Sequence, residues 1–318
     1  MFSMGPFHKS VSFKTSLYYY VLIWASDLKA GQSYKNGMDE NDISGVYFQR
    51  IVMPLRRLEE RGLGKLEAIC HLNGNKNMPL VAFRTKDTNY NGEMLITAGH
   101  NVYNIWGPTQ ALMQLAESGE PGLVIVPVVD VRNYHKADQL RLKVENDDVL
   151  GPTEMYYALY GHKDIAPLKG NDWDDYNYAG KSPEHIEKLK EMIKVSGFYA
   201  DLYNGKQNGF RFFEVPVQNS TEEIVHEAMI KAIENGGQII YDGGLNFRYG
   251  EPCNHKGFNS IKPHTNTSIS FAGRHGIPNL AVEIPALYYK NSEMRLMELD
   301  QVAGTTIEMI LNSVRALR

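Results

Sequence analysis

The stretch "LITAGHNVYNIWGPTQALMQL", Leu95 to Leu115, decides how the chain is read. It opens inside an apolar run, "EMLITA" (Glu93 to Ala98), and breaks at Gly99-His100. A continuous apolar run of that length suits a strand covered on both faces. Similar runs recur on either side: "LVAFR" (Leu80 to Arg84), "LVIVPVV" (Leu123 to Val129), "GFYADLY" (Gly197 to Tyr203), "QIIY" (Gln238 to Tyr241) and "LAVEI" (Leu280 to Ile284). Helix signals lie between them. Ser182 followed by Pro183 predicts an N-cap with proline at the first helical position. Ser220 with Glu223 reads as a capping box, and Gly236-Gly237 can end that helix. A stripe from Leu296 through Val302, Ile307, Ile310 and Val314 to Leu317 predicts a last amphipathic helix. This alternation predicts an α/β fold: a mixed, largely parallel central sheet with helices on both faces. Ligands in such sheets bind beyond the carboxyl ends of central strands. The residues that follow the strands therefore carry the functional question.

Bulk properties narrow the field. The chain has 318 residues, of which 43% are hydrophobic, enough for one large core or two modest ones. The reading is an N-terminal extension over residues 1–38 and a single domain over 39–318. A formal net charge of −4 and the lack of a long basic run argue against a nucleic-acid partner. Two cysteines, Cys70 and Cys253, exclude a disulfide framework and a zinc site built mainly of thiolates. The apolar stretch "LYYYVLIWA" (Leu17 to Ala25) is too short to span a bilayer. Its basic flank fits a secretion signal, but its three tyrosines and one tryptophan do not. The balance favours a cytoplasmic protein over a secreted one.

Five segments in order resemble the zinc carboxypeptidase superfamily, above all its succinylglutamate desuccinylase and aspartoacylase branch. "LITAGHNVYNIWGPTQALMQL" is similar to the family strand that runs into Ala-Gly-x-His-Gly-x-Glu. "GLVIVPVVDVRNY" (Gly122 to Tyr134) resembles the strand leading to an Asn-Pro turn. "NDWDDYNYAGKSPE" (Asn171 to Glu184) resembles the Asp-x-Asn-Arg-Asn-Phe segment. "YADLYNG" (Tyr199 to Gly205) resembles the strand ending Asp-Leu-His, and "GIPNLAVEIP" (Gly276 to Pro285) the strand that carries the catalytic glutamate. The resemblance covers about residues 40 to 318 and implies the family's fold.

What it implies about the site departs from the family residue by residue. Matching Ala98-Gly99 without gaps puts Asn101 and Asn104 at the first two ligand positions and Tyr203 at the third. Zinc is held by imidazole, thiolate or carboxylate; a carboxamide and a neutral phenol are far weaker donors. His100 stands one residue before the expected ligand. A one-residue slip would be needed to swing it inward, with Asp201 or Glu283 as further donors, because such a shift reverses side-chain direction. Otherwise His100 is a hydrogen-bonded loop or cap residue. Asp175 and Tyr176 occupy the places of the family's carboxylate-clamping Asn-Arg pair, followed by Asn177. Arg132, Arg274 or Arg248 could supply the lost cation. Glu283 matches the family's general base. The segment Tyr241 to Ser268, with Cys253, His255 and His264, reads as a long loop rimming the pocket.

Two functions follow from this. The first is a metal-independent relative that binds a small polar ligand, such as a peptide or an amino-acid derivative, with no cofactor. The second is a zinc-dependent hydrolase of peptide or amide bonds, with rearranged ligands and Glu283 as base. Non-hydrolytic chemistry by Glu283, Tyr203 and Asp175 ranks behind both.

Overall fold

A computed structural model describes residues 45–72, 78–86, 93–100, 107–131, 134, 182–204, 209–217, 220–240, 251–252, 258–261, 267–285, 287–290, 293–296 and 299–317. All belong to one compact unit, Glu40–Arg318. A π-helical turn, Phe48–Val52, leads into α1 (Met53–Glu60). Then come β1 (Gly64–His71), β2 (Pro79–Thr85), β3 (Met94–Ala98), α2 (Gly107–Ser118) and β4 (Leu123–Val126). They are followed by α3 (Glu184–Val195), β5 (Phe198–Asn204), β6 (Arg211–Glu214) and α4 (Ser220–Asn235). The chain ends with β7 (Glu251–Pro252), β8 (Phe258–Ser260), α5 (Ser268–Arg274), β9 (Asn279–Ile284), the pair β10 (Leu287–Lys290) and β11 (Glu293–Leu296), and α6 (Leu299–Ala316).

Nine strands form one mixed sheet in the order β1-β2-β4-β3-β5-β9-β6-β8-β7. The centre, β4-β3-β5-β9, is parallel throughout; β2 and β6 flank it antiparallel. All five residues of β3 are buried. Successive strand residues point to opposite faces, so a strand buried at every position is covered on both sides. Helices provide that cover: α6 packs on α4 and α2, while α3 packs on α5 and β1, and α5 on β5 and β9. The fold class is as the alternation predicts.

Several boundaries differ from expectation for local reasons. β4 stops at Val126, before Pro127, which has no N–H to give a ladder. Helix α3 starts at Glu184 with Pro183, not Ser182, as its N-cap. Instead the Ser182 N–H donates to Glu187 Oε1 at 2.8 Å. Before α4, Glu222 accepts the Val217 N–H at 3.2 Å; the Ser220 side chain of the expected capping box lies outside the described residues. "QIIY" is no strand within the described residues: Ile240 makes an isolated bridge to Phe210. Cys70 is a free, half-buried thiol; Cys253 lies outside the described residues.

The topology places the site. From β3 the chain returns through α2 to β4 on one side, and then crosses to β5 on the other side of β3. β3 and β5 thus flank a switch point, where open α/β sheets keep their ligand crevice.

Candidate functional site

Two rows of side chains cross this switch point on one sheet face. Tyr199, Asp201 and Tyr203 alternate along β5, so all three share a face. In register, Thr97 of β3 lies beside Asp201, and Glu283 of β9 beside Tyr203. Arg211 of β6 lies opposite Glu283.

The inner row is closed around Asp201, whose side chain is 0% exposed. Its Oδ1 accepts a hydrogen bond from Thr97 Oγ1 at 2.8 Å. Its Oδ2 accepts from Tyr203 Oη at 2.6 Å and from Ser268 Oγ, the first residue of α5, at 2.7 Å. His100 Nε2 lies 3.1 Å from the same Oδ2 and 3.2 Å from Thr97 Oγ1. The single Thr97 proton is committed to Asp201, so Tyr199 Oη, 2.8 Å away, donates to Thr97. A carboxylate only accepts, so His100 Nε2 carries the proton in that contact. Burial alone would push the Asp201 carboxyl upward. The facing His100 and the hydrogen bonds from His100, Tyr203 and Ser268 outweigh it and hold the carboxyl below its ordinary range.

His100 thus turns inward without any strand slip. Gly99, at φ 68°, makes the turn after Ala98, and its backbone is secured by the Asp130 N–H donating to Gly99 O at 2.7 Å. That left-handed geometry suits glycine and returns His100 to the side of Thr97. Its ring stacks beside Tyr203 with centroids 6.2 Å apart.

The outer row is more open. Tyr203 is half-buried, and the Glu283 side chain is 28% exposed. Arg211 brings its Nη1 to 3.7 Å from Glu283 Oε2, and its guanidinium lies over the Phe213 ring at 5.9 Å. A cation therefore faces the glutamate from a neighbouring strand, one that the sequence reading did not name. Arg274 ends α5, six residues beyond Ser268, roughly 9 Å further along the helix axis. It is exposed, and its guanidinium sits 6.0 Å from the Phe271 ring. Asn101, Asn104, Arg132, Asp175, Tyr176 and Asn177 lie outside the described residues, as do Arg248, His255 and His264.

Of the expected residues, the structure brings together His100, Tyr203 and Glu283, with Asp201 between the first two. Thr97, Tyr199, Ser268 and Arg211 are the additions. Tyr199 and Asp201 had a signal in "YADLY", polar groups at every second position of a strand; Arg211 had none. Among the described residues, no group of three or more His, Cys, Asp or Glu side chains is placed to hold a metal ion. His100 Nε2 turns its proton to Asp201 and offers no lone pair. The neutral Tyr203 phenol is a poor zinc donor. As placed, these two atoms do not fit a zinc centre.

No family model and no curated protein matches the chain. Solved structures do. A candidate metallopeptidase from Shewanella amazonensis superposes with a TM-score of 0.55 at 12% identity, over 86% of this chain and 94% of its own. Carboxypeptidase A from Helicoverpa armigera gives 0.53 at 13% identity, over 96% and 80%. A metallo-carboxypeptidase from Burkholderia cenocepacia gives 0.51 at 10% identity, over 85% and 69%. The chain has the zinc carboxypeptidase fold. At such identities the likeness speaks for the fold alone, and function has to be argued from the site.

Proposed function

We propose that this chain uses a carboxypeptidase scaffold to bind a small polar ligand, a peptide or amino-acid derivative, without a metal. The observation that supports it is the saturation of Asp201. Four hydrogen-bonding groups converge on one buried carboxylate, and they include the His100 nitrogen that would otherwise be the strongest nearby donor to a cation. Asn101 and Asn104, matched to the first two ligand positions of the family, carry carboxamides, and Tyr203, matched to the third, carries a phenol. What stays open to a ligand is the outer row: the Tyr203 ring, the Glu283 carboxylate and the Arg211 guanidinium. This row can meet both charged and aromatic groups.

Elemental analysis of protein purified without chelator tests the reading. The expected zinc content is far below one ion per chain, with no change in melting temperature on adding chelator. One zinc per chain, removed by chelator together with stability, overturns it.

The half-open carboxylate of Glu283 supports a second reading, a hydrolase with Glu283 as general base. A carboxylate acting on ordinary water faces a pKa of about 15.7 rather than roughly 7 for metal-bound water. Under this reading peptide or amide hydrolysis depends on zinc and disappears in Glu283→Gln. Chelator-insensitive hydrolysis would exclude it.

A further inference from the structure

A second buried group of ionisable side chains lies at the junction of β6 and α4. Glu214 is the last residue of β6. Glu222 and His226 stand one turn apart on α4 and so share a face. His226 Nε2 lies 2.8 Å from Glu214 Oε2. Glu214, Glu222 and His226 are 5%, 8% and 3% exposed. Glu222 also spans the connection, since its Oε1 accepts the Val217 N–H at 3.2 Å. The surroundings are aromatic: the His226 ring lies 4.0 Å from that of Phe258, which stacks on Phe212 at 4.3 Å. One acid, Glu214, thus faces the imidazole, and a second, Glu222, is buried one turn away on the same helix as His226. With every group deprotonated, the cluster holds two negative charges and no cation. A buried site opposes that state strongly.

We propose that this junction is a proton-operated latch: a proton held by the Glu214, His226 and Glu222 cluster keeps α4 docked on β6, and losing it loosens the first turns of α4. The groups facing Glu222 are few. From β6 comes Glu214, the one charged group acting on it among the described residues, and from α4 itself comes His226, which faces Glu214. Of the other elements here, β8 brings Phe258 and β9 brings Asn279, neither of which titrates. Among the described residues, α6 brings no charged group to act on Glu222.

Burial, with the Glu214 charge adding to it, raises the Glu222 carboxyl to about 7 against the pull of the Val217 N–H. A raised value means that the stability from this group is complete below pH 4.5. It is lost as pH rises through about 7. The latch has a route to the site, because Arg211 begins the strand that Glu214 ends. The far side of that junction is fixed: Asn279 accepts the Val215 N–H at 3.0 Å and donates to Val215 O at 2.9 Å. Loosening should therefore spread into α4 rather than into β9.

The test compares the full chain with Glu222→Gln, which keeps an oxygen for the Val217 N–H but cannot ionise. Melting temperature and amide hydrogen exchange are followed from about pH 4.5 to 8, across the ionisation window. The wild type should lose on the order of 2–4 °C relative to the variant over that range. Protection of the first turns of α4, corrected for intrinsic exchange, should fall in the wild type alone. Parallel melting curves, or equal loss of protection in both proteins, overturn the latch. If Glu222→Gln does not fold, Glu214→Gln serves instead. Removing the neighbouring charge should move the midpoint to lower pH than in the wild type, and an unmoved midpoint overturns the proposal.

Discussion

Asp201 and Glu283 are two acids on one sheet face, on adjacent strands and one row apart, yet they are held in opposite ways. Asp201 is sealed, with four groups hydrogen-bonded to it or within reach. Glu283 is 28% exposed and faces a guanidinium at 3.7 Å. The difference shows what burial demands. A carboxylate removed from water must have its lone pairs met, and once they are met it has little left for a ligand. Two residues further along the strands water still reaches the acid, and its interactions remain open to exchange. Tyr203 joins the regimes, giving its hydroxyl to Asp201 and its ring to the outer row.

The comparison can be broken most directly at Asp201. Asp201→Ala leaves Thr97, His100, Tyr203 and Ser268 without their common acceptor. Urea unfolding should show a loss of about 3–5 kcal/mol, the range for breaking a buried charge pair. A loss under about 1 kcal/mol would mean that the inner row does not hold the fold together.

Acid sharpens the same contrast. The folded Asp201 carboxyl lies below its ordinary value of 3.8, so its contribution is present above that value and is lost as pH falls through the folded one. Asp201→Asn should therefore unfold with a shallower dependence on pH in the acid limb than the wild type. Equal slopes in the two melting series would show that the carboxylate is not held as described.

The smallest effects belong to the outer row. Tyr203→Phe removes one of several hydrogen bonds to Asp201 and should cost about 1 kcal/mol in urea. Glu283→Gln should change stability by less than about 1 kcal/mol, because half-exposed ion pairs contribute little. Its signature should be functional instead: altered ligand affinity under the binding reading, lost turnover under the hydrolytic one. A Glu283 variant as destabilised as Asp201→Ala would erase the distinction between the two rows.

Much of the fold was legible in the chain. The apolar runs at Leu80–Arg84, Glu93–Ala98 and Leu280–Ile284 fall on β2, β3 and β9 because a strand buried on both faces has little choice of residue type. "QIIY" failed because a short apolar run says nothing about whether a partner strand is in reach. β6 was missed for the complementary reason. "RFFE" is only four residues long and is defined by its pairing with β9 and β8.

The site divides along the same line. The sequence by itself determined which chemical groups stand after the central strands: a histidine and two carboxamides after β3, a phenol at the end of β5, a glutamate in β9. Side-chain type is written directly in the chain, and the order of the five segments fixes which strand carries each. Only the tertiary structure decided what those groups face. That depends on strand register, on the turn at Gly99 and on the docking of α5, which bring together residues up to 171 positions apart, Thr97 and Ser268 among them. Those contacts spend His100 on Asp201 and set Arg211 against Glu283. Both are through-space pairings between elements that local sequence does not connect.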